Sequence, residues 1–366
     1  MVFLIKEKKV KFIPYNEVLK LFKQFIRETH TGIRVKKNGN KISQSTINNY
    51  RSALKILEDF ILIKKFDFKL YLIKNISTKE YENIQKYWKI FYFDFTEYLY
   101  FDLNCFDNYV GTIIKNLKAF LNYLLKDLNF PIGNFHLSFY VPMEEIPIIA
   151  LTPTQLNYLI YDKELCEKLP DKLNKVKDFF VFGCAVALRI SDLLALRKEN
   201  LYTENGQYYL KVISKKTSTF TSIKLPDFAI DILKKYKSRS VYILPHFSES
   251  FFNTQLKILG KYIDDKQEIA KYRKKRGVSY PVYKKGTKKE NYTLADHLTS
   301  HTMRRTAITT MLRLGMPDYI VRKISGHAPN SKEFYRYVSL VQSYLDEQTD
   351  IMFKKLSNYN VKTSQN

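Results

Sequence analysis

Ten consecutive uncharged and almost wholly apolar residues, FFVFGCAVAL, run from Phe179 to Leu188 and stop at Arg189. A helix that is apolar on every side has to be enclosed by other elements. The run is also far shorter than the ~20 residues needed to span a bilayer. It predicts a buried helix over 177–188 at the centre of a sizeable domain, ending in a guanidinium at the edge of that core. Ser191 is placed to cap a short helix, SDLLAL, directly after it.

The rest of the chain arranges itself around that helix. Upstream, residues 1–15 read as a short, β-like extension. Four amphipathic helices follow between 16 and 130, and the one over 107–128 turns Ile113, Ile114, Leu117, Phe120, Leu121 and Leu124 inward. Lys115 and Lys118 on that helix face outward. Prolines 131, 142 and 147 mark 131–150 as an extended linker. Thr152-Pro153-Thr154-Gln155 is a capping box with proline in the first helical turn, opening a second domain over 151–357. Within it, 206–226 switches to strand-like alternation, interrupted by Lys215-Lys216-Thr217 as a basic turn. A last helix is expected over 340–357, followed by a polar tail, 358–366.

Charge narrows the partner. The 366 residues carry 61 Lys and Arg against 36 Asp and Glu, a net +25. That excess points to a polyanion, nucleic acid first and an acidic membrane surface second. It is densest between 271 and 290, where nine basic residues meet one acid. Gly277, Pro281 and Gly286 exclude a helix there, so the stretch reads as a mobile solvated loop. Arg273, Lys274, Lys275 and Arg276 are its candidates for phosphate contact, alongside Lys115, Lys118 and Lys215. Three cysteines without metal-like spacing suit a reducing compartment. No secretory leader is legible at MVFLIKEKKVK, so a cytoplasmic location is expected.

Chemistry concentrates between His301 and Tyr337. On a helix begun at Ser300, His301 and Arg304 share one face. Gly326-His327 and a tyrosine pair, Tyr335 and Tyr337, follow. A cation, two imidazoles and a phenol suit attack on a phosphodiester, with arginines to clamp the oxygens that gain charge. His297 and His301 have metal-like spacing but no third ligand, and no metal or cofactor is expected.

The order Arg189-Ile190-Ser191-Asp192, then Lys216, His301-x-x-Arg304, Gly326-His327 and Tyr337 resembles the tyrosine recombinase (phage integrase) family. The closing segment looks most like integrases of the Bacteroides group and its mobile elements. The resemblance implies a mainly α fold with a small antiparallel β-sheet. A helical core-site DNA-binding domain over 16–130 and an α+β catalytic domain would form a C-shaped DNA clamp. It implies that Tyr337 attacks the scissile phosphorus to give a 3′-phosphotyrosyl bond. Phe334-x-x-Tyr337-Val338 fits the family pattern, one residue further from His327 than usual, and Tyr335 is the alternative. Arg189 and Arg304 would hold the non-bridging oxygens, and Lys216, or else Lys215, would protonate the leaving 5′ oxygen. His301 and His327 would bind phosphate and assist proton transfer, with Asp192 orienting Arg189 or a histidine. The partners implied are duplex attachment sites, a homo-tetramer on DNA joined through the C-terminal helix (a monomer when free) and an accessory factor. A type IB topoisomerase, or a DNA-binding factor without catalysis, is the competing expectation.

Overall fold

In the computed structural model, residues 10–214, 220–236, 241–264, 268–341, 346 and 349–356 are described. The chain divides into two compact units, Met1–Ile146 with Tyr272–Val282, and Pro147–Lys271 with Tyr283–Asn366. Both are mainly helical with small antiparallel sheets, the expected class.

In the first unit, strand β1 (Phe12–Pro14) leads into helix α1 (Tyr15–Thr31), and helix α2 covers Gln44–Lys64. Strand β2 (Lys69–Tyr71) pairs antiparallel with β1, Phe12 opposite Tyr71. Helices α3 (Thr78–Glu97) and α4 (Asp107–Lys126) complete it. Their ends follow local chemistry. Gly32 at φ 86° terminates α1 in the left-handed conformation that costs glycine little. Ser77 and Glu80 form a capping box on α3. Inside, α1 buries Val18, Phe22, Phe25 and Ile26, spaced as one helical face, and Phe22 stacks on Phe120 of α4 at 4.0 Å.

Residues 131–146, which carry Pro131 and Pro142, are irregular apart from a single 3-10 turn at Phe135–Ser138, but they are packed rather than free. Ile132, Phe135 and Phe139 are buried in this core. Gly111 of α4 lies so close beneath the chain that a Cβ there would meet the Pro142 carbonyl oxygen at 2.0 Å. Gly111→Ala gains at most about 1 kcal/mol of helix propensity. Forcing the backbone apart costs about 2–3 kcal/mol. The clash wins, so urea unfolding should show the variant destabilised.

The second unit opens with helix α5 (Pro153–Tyr161), whose Thr152–Gln155 capping box forms as expected. After α6 (Lys163–Lys168) comes α7 (Asp171–Val186), buried along its last two turns as the apolar run demands. Its Gly183 admits Met303: a Cβ would sit 2.5 Å from the methionine sulfur. Helix α8 (Ile190–Leu193) has Arg189 at its N-cap, so Ser191 lies inside the helix instead of capping it. Strands β3 (Leu201–Glu204), β4 (Gln207–Ile213) and β5 (Phe220–Lys224) form an antiparallel meander with Leu210 opposite Ile223. Helices α9 (Asp227–Lys235) and α10 (Glu249–Ile263) and strand β6 (Glu268–Ile269) follow.

Next come β7 (Lys271–Lys275) and β8 (Val278–Val282), paired as a hairpin. Arg276 and Gly277 at its tip both have positive φ, 51° and 78°, as tight hairpin turns require. From 271 to 282 the basic stretch is therefore a hairpin and not the expected solvated loop, and Tyr272–Val282 belong to the first unit, whereas 283–290 is a loop, exposed from 285 on. The Arg276 and Gly277 amides donate to the buried Asp107 carboxylate at 2.8 and 3.0 Å. Arg273 Nε donates to Glu144 at 2.6 Å.

The second unit resumes with β9 (Tyr292–Thr293), paired with β6, then α11 (Leu294–His297) and α12 (Ser300–Arg313). Thr299, not Ser300, caps α12. Helices α13 (Asp318–Ser325) and α14 (Lys332–Leu340) carry the end of the His301–Tyr337 stretch. Residues 349–356 are helical and expose Ile351, Met352, Phe353 and Leu356.

Candidate active site

The site is built where α7 ends. Ala187 takes a left-handed conformation (φ 54°) and turns the chain so that Arg189 begins α8. The same turn positions a second arginine, because the Ala187 carbonyl accepts from Arg304 Nη1 at 2.9 Å. Arg304 lies in the second turn of α12 and is only 6% exposed. Arg189 Nη1 donates to Ser214 Oγ at 3.0 Å, and Ser214 donates to Asp192 Oδ2 at 3.1 Å. Asp192 thus reaches Arg189 through a hydroxyl at the end of β4. Burial, then the charge of Arg189, lowers the Arg304 guanidinium to about 10. Two cations held that close favour an anion between them.

His327 follows α13, whose C-cap Gly326 is left-handed at φ 62°. Its ring lies against Arg304, with Nη2 3.1 Å from Nε2 and 3.2 Å from Nδ1. On the other side Ser325 Oγ is 2.8 Å from Nδ1. Burial, Arg304 and Arg189 push its pKa down to about 3, so it is neutral at physiological pH. Tyr337 lies on the buried face of α14, 4% exposed, with its ring 6.1 Å from that of His327. Burial raises its phenol above the ordinary tyrosine value, against the pull of Arg305 and Arg304. The phenol therefore needs a base. His301, exposed in the first turn of α12, is held below its usual value by partial desolvation and Arg305. Arg304, Arg305 and Glu333 act on both His301 and Tyr337.

Arg189, Asp192, Arg304, His327 and Tyr337 are brought together, with His301 among the same charges. Lys216 and its alternative Lys215 lie outside the described residues, next to Ser214. Tyr335 is 50% exposed, its hydroxyl 3.5 Å from Arg322 Nη1. Of the phosphate-contact candidates, Lys115 is exposed on α4, whereas Lys118 donates to the Leu137 and Phe139 carbonyls at 3.0 and 2.9 Å. Arg273 pairs with Glu144, Arg276 with Glu97, and Lys275 bonds Asn104, while the Lys274 side chain is exposed. Sequence reasoning missed Ser214, Ser325, Arg305 and Glu333. Nothing local marks Ser214, whose partners Arg189 and Asp192 lie far back in the chain, and Ser325 is marked only by its place two residues before His327.

Two cations, a neutral imidazole and a phenol in one unit can bind a phosphodiester and attack it. The profile of the phage integrase family matches residues 151–343. No curated protein matches the chain in sequence. Among solved structures, XerH site-specific recombinase bound to palindromic difH substrate, a post-cleavage complex, superposes with a TM-score of 0.60. The identity is 12%, over 88% of this chain and 92% of that one. A lambda integrase dimer bound to a COC′ core site gives 0.54 at 14%, over 89% and 77%. The Tn1549 transposon integrase in complex with transposon right end DNA gives 0.51 at 17%, over 92% and 99%.

Proposed function

This chain belongs to the phage integrase family and is a tyrosine-type site-specific DNA recombinase, and we propose that Tyr337 is its nucleophile. The convergence of Arg189, Arg304 and His327 on a buried Tyr337 carries this reading. The Tyr337 oxygen bonds to the scissile phosphorus, the 5′ oxygen leaves, and Lys216 gives it a proton. Arg189 and Arg304 offset the charge growing on the non-bridging oxygens. His301 and His327 assist at the phosphate and the phenol. The 3′-phosphotyrosyl bond conserves the phosphodiester energy, so a second strand's 5′-hydroxyl reverses the attack without ATP. Two such exchanges pass through a Holliday junction, the substrate on which a lambda integrase tetramer has been solved.

In this reading residues 16–130 grip the core site, with Lys115 on the backbone, and 151–357 cleave, the two enclosing duplex DNA as a clamp in a bacterial cytoplasm. An accessory factor would assist. A homo-tetramer forms on DNA when the apolar face of 349–356 docks on a neighbouring copy. A groove of about 560 Å³ lined by Leu156, Ile160, Ala185, Phe228, Met311 and Leu314 suits it. Phe353→Asp should then abolish strand exchange, read as recombinant product on gels, while leaving single-site cleavage intact.

The test of function is a duplex nicked beside the scissile phosphate, which traps the intermediate. A covalent protein–DNA adduct with a free 5′-hydroxyl is expected. Relaxation of supercoils without a requirement for paired sites would instead indicate a topoisomerase.

A further inference from the structure

We propose that Ser325 is a positioning residue that holds His327 as its Nδ1–H tautomer and so presents Nε2 to the reacting groups as a proton acceptor. The proposal rests on His327 belonging to the active site just described. Ser325 is 2% exposed and ends α13. Its Oγ lies 2.7 Å from the Val321 carbonyl oxygen, one helical turn back, and 2.8 Å from His327 Nδ1.

A hydroxyl has one hydrogen, and a carbonyl oxygen can only accept. Two oxygens 2.7 Å apart need that hydrogen between them, so Ser325 donates to Val321. Toward His327 it has only lone pairs to offer, and the proton of the 2.8 Å contact must come from Nδ1. Arg304 does not make this choice, since its Nη2 is almost equally far from both ring nitrogens. It donates to whichever is bare. With Nδ1 protonated, that is Nε2. The groups facing the ring support a neutral imidazole: Arg304 from α12, Arg189 from the start of α8, and the phenol of Tyr337 from α14.

The tautomer decides what His327 can do. An Nε2–H ring would donate to a phosphate oxygen from the outset. An Nδ1–H ring cannot. When a phosphate draws Arg304 Nη2 onto its own oxygens, Nε2 is released with its lone pair free. The Tyr337 proton then passes to Nε2, the phenolate oxygen bonds to phosphorus, and the 5′ oxygen leaves with the electron pair of the broken P–O bond. The imidazolium left behind donates to the phosphate only after it has taken that proton.

Long-range proton–nitrogen NMR of the full chain labelled with ¹⁵N-histidine reads the tautomer directly. The chain has six histidines, and the His327 signals are those missing from His327→Gln. At neutral pH the wild-type ring should show a protonated Nδ1 and a bare Nε2. Ser325→Ala, which removes the acceptor on Nδ1, should release the ring to the Nε2–H form that a free neutral histidine favours, and slow adduct formation on the nicked duplex by on the order of tenfold. Ser325→Thr, which keeps the hydroxyl, should restore both. An Nε2–H ring in the wild type, or an unchanged tautomer in Ser325→Ala, overturns the proposal. Loss of the adduct in Tyr335→Phe instead of Tyr337→Phe would overturn the nucleophile assignment and leave the tautomer result standing.

Discussion

Tyr337→Phe will abolish covalent capture of a nicked duplex, while Tyr335→Phe will capture it at close to the wild-type rate. The two tyrosines are two residues apart on α14, so at 3.6 residues per turn they point to nearly opposite sides. Only one can face Arg304 and His327, and Tyr337 is the buried one. Its phenol is raised by desolvation, which keeps it protonated and inert until a base acts. Arg305 and Arg304 counter that by favouring the phenolate. A group held neutral yet beside two cations suits a nucleophile activated only when substrate is in place. Tyr335 has none of this: it is half exposed, beside Arg322 and the edge of the Phe334 ring. Gel-resolved adduct yields of the two variants decide it, and capture surviving in Tyr337→Phe would sink the assignment.

The parts of the site that sequence made legible are those whose side chains are expensive in any other setting. Arg189 closing an apolar run, and Arg304 one turn after His301, stand out because burying a guanidinium without a purpose is costly. The helices were legible from periodicity, including α7, whose run of apolar residues admits no solvated face. Partnerships were not. Arg273 advertises its charge, but the Glu144 that holds it is distant in the chain, and nothing local marks that glutamate as buried. The same holds for Lys118, which looks outward by periodicity and yet bends to two carbonyls of an irregular segment. A basic run therefore showed composition, not availability. Ser214 and Ser325 were hidden for a different reason. A serine is common anywhere, and its value here comes from geometry at one oxygen atom.

Arg304→Met separates what this site costs from what it does. Removing the clamp should slow cleavage on the order of a thousandfold, since losing even one preorganised donor costs 10²–10³. That is about 4 kcal/mol of transition-state stabilisation. Stability should barely follow. The substitution leaves the Ala187 carbonyl and His327 Nε2 without their donor, a penalty of about 1–3 kcal/mol for each such buried group. Against that it removes a charge that is desolvated and repelled by Arg189, the two effects that lower its pKa to about 10. Relief of that desolvation and repulsion is of the order found when buried ion pairs are replaced by apolar side chains of similar volume, about 1–4 kcal/mol. The opposing ranges overlap, so urea midpoints should move far less than single-turnover cleavage, which collapses. If stability fell in step with the rate, Arg304 would be a structural tie between α12 and the Ala187 turn. If it holds, the fold keeps two repelling arginines together, and binding the phosphodiester relieves that repulsion.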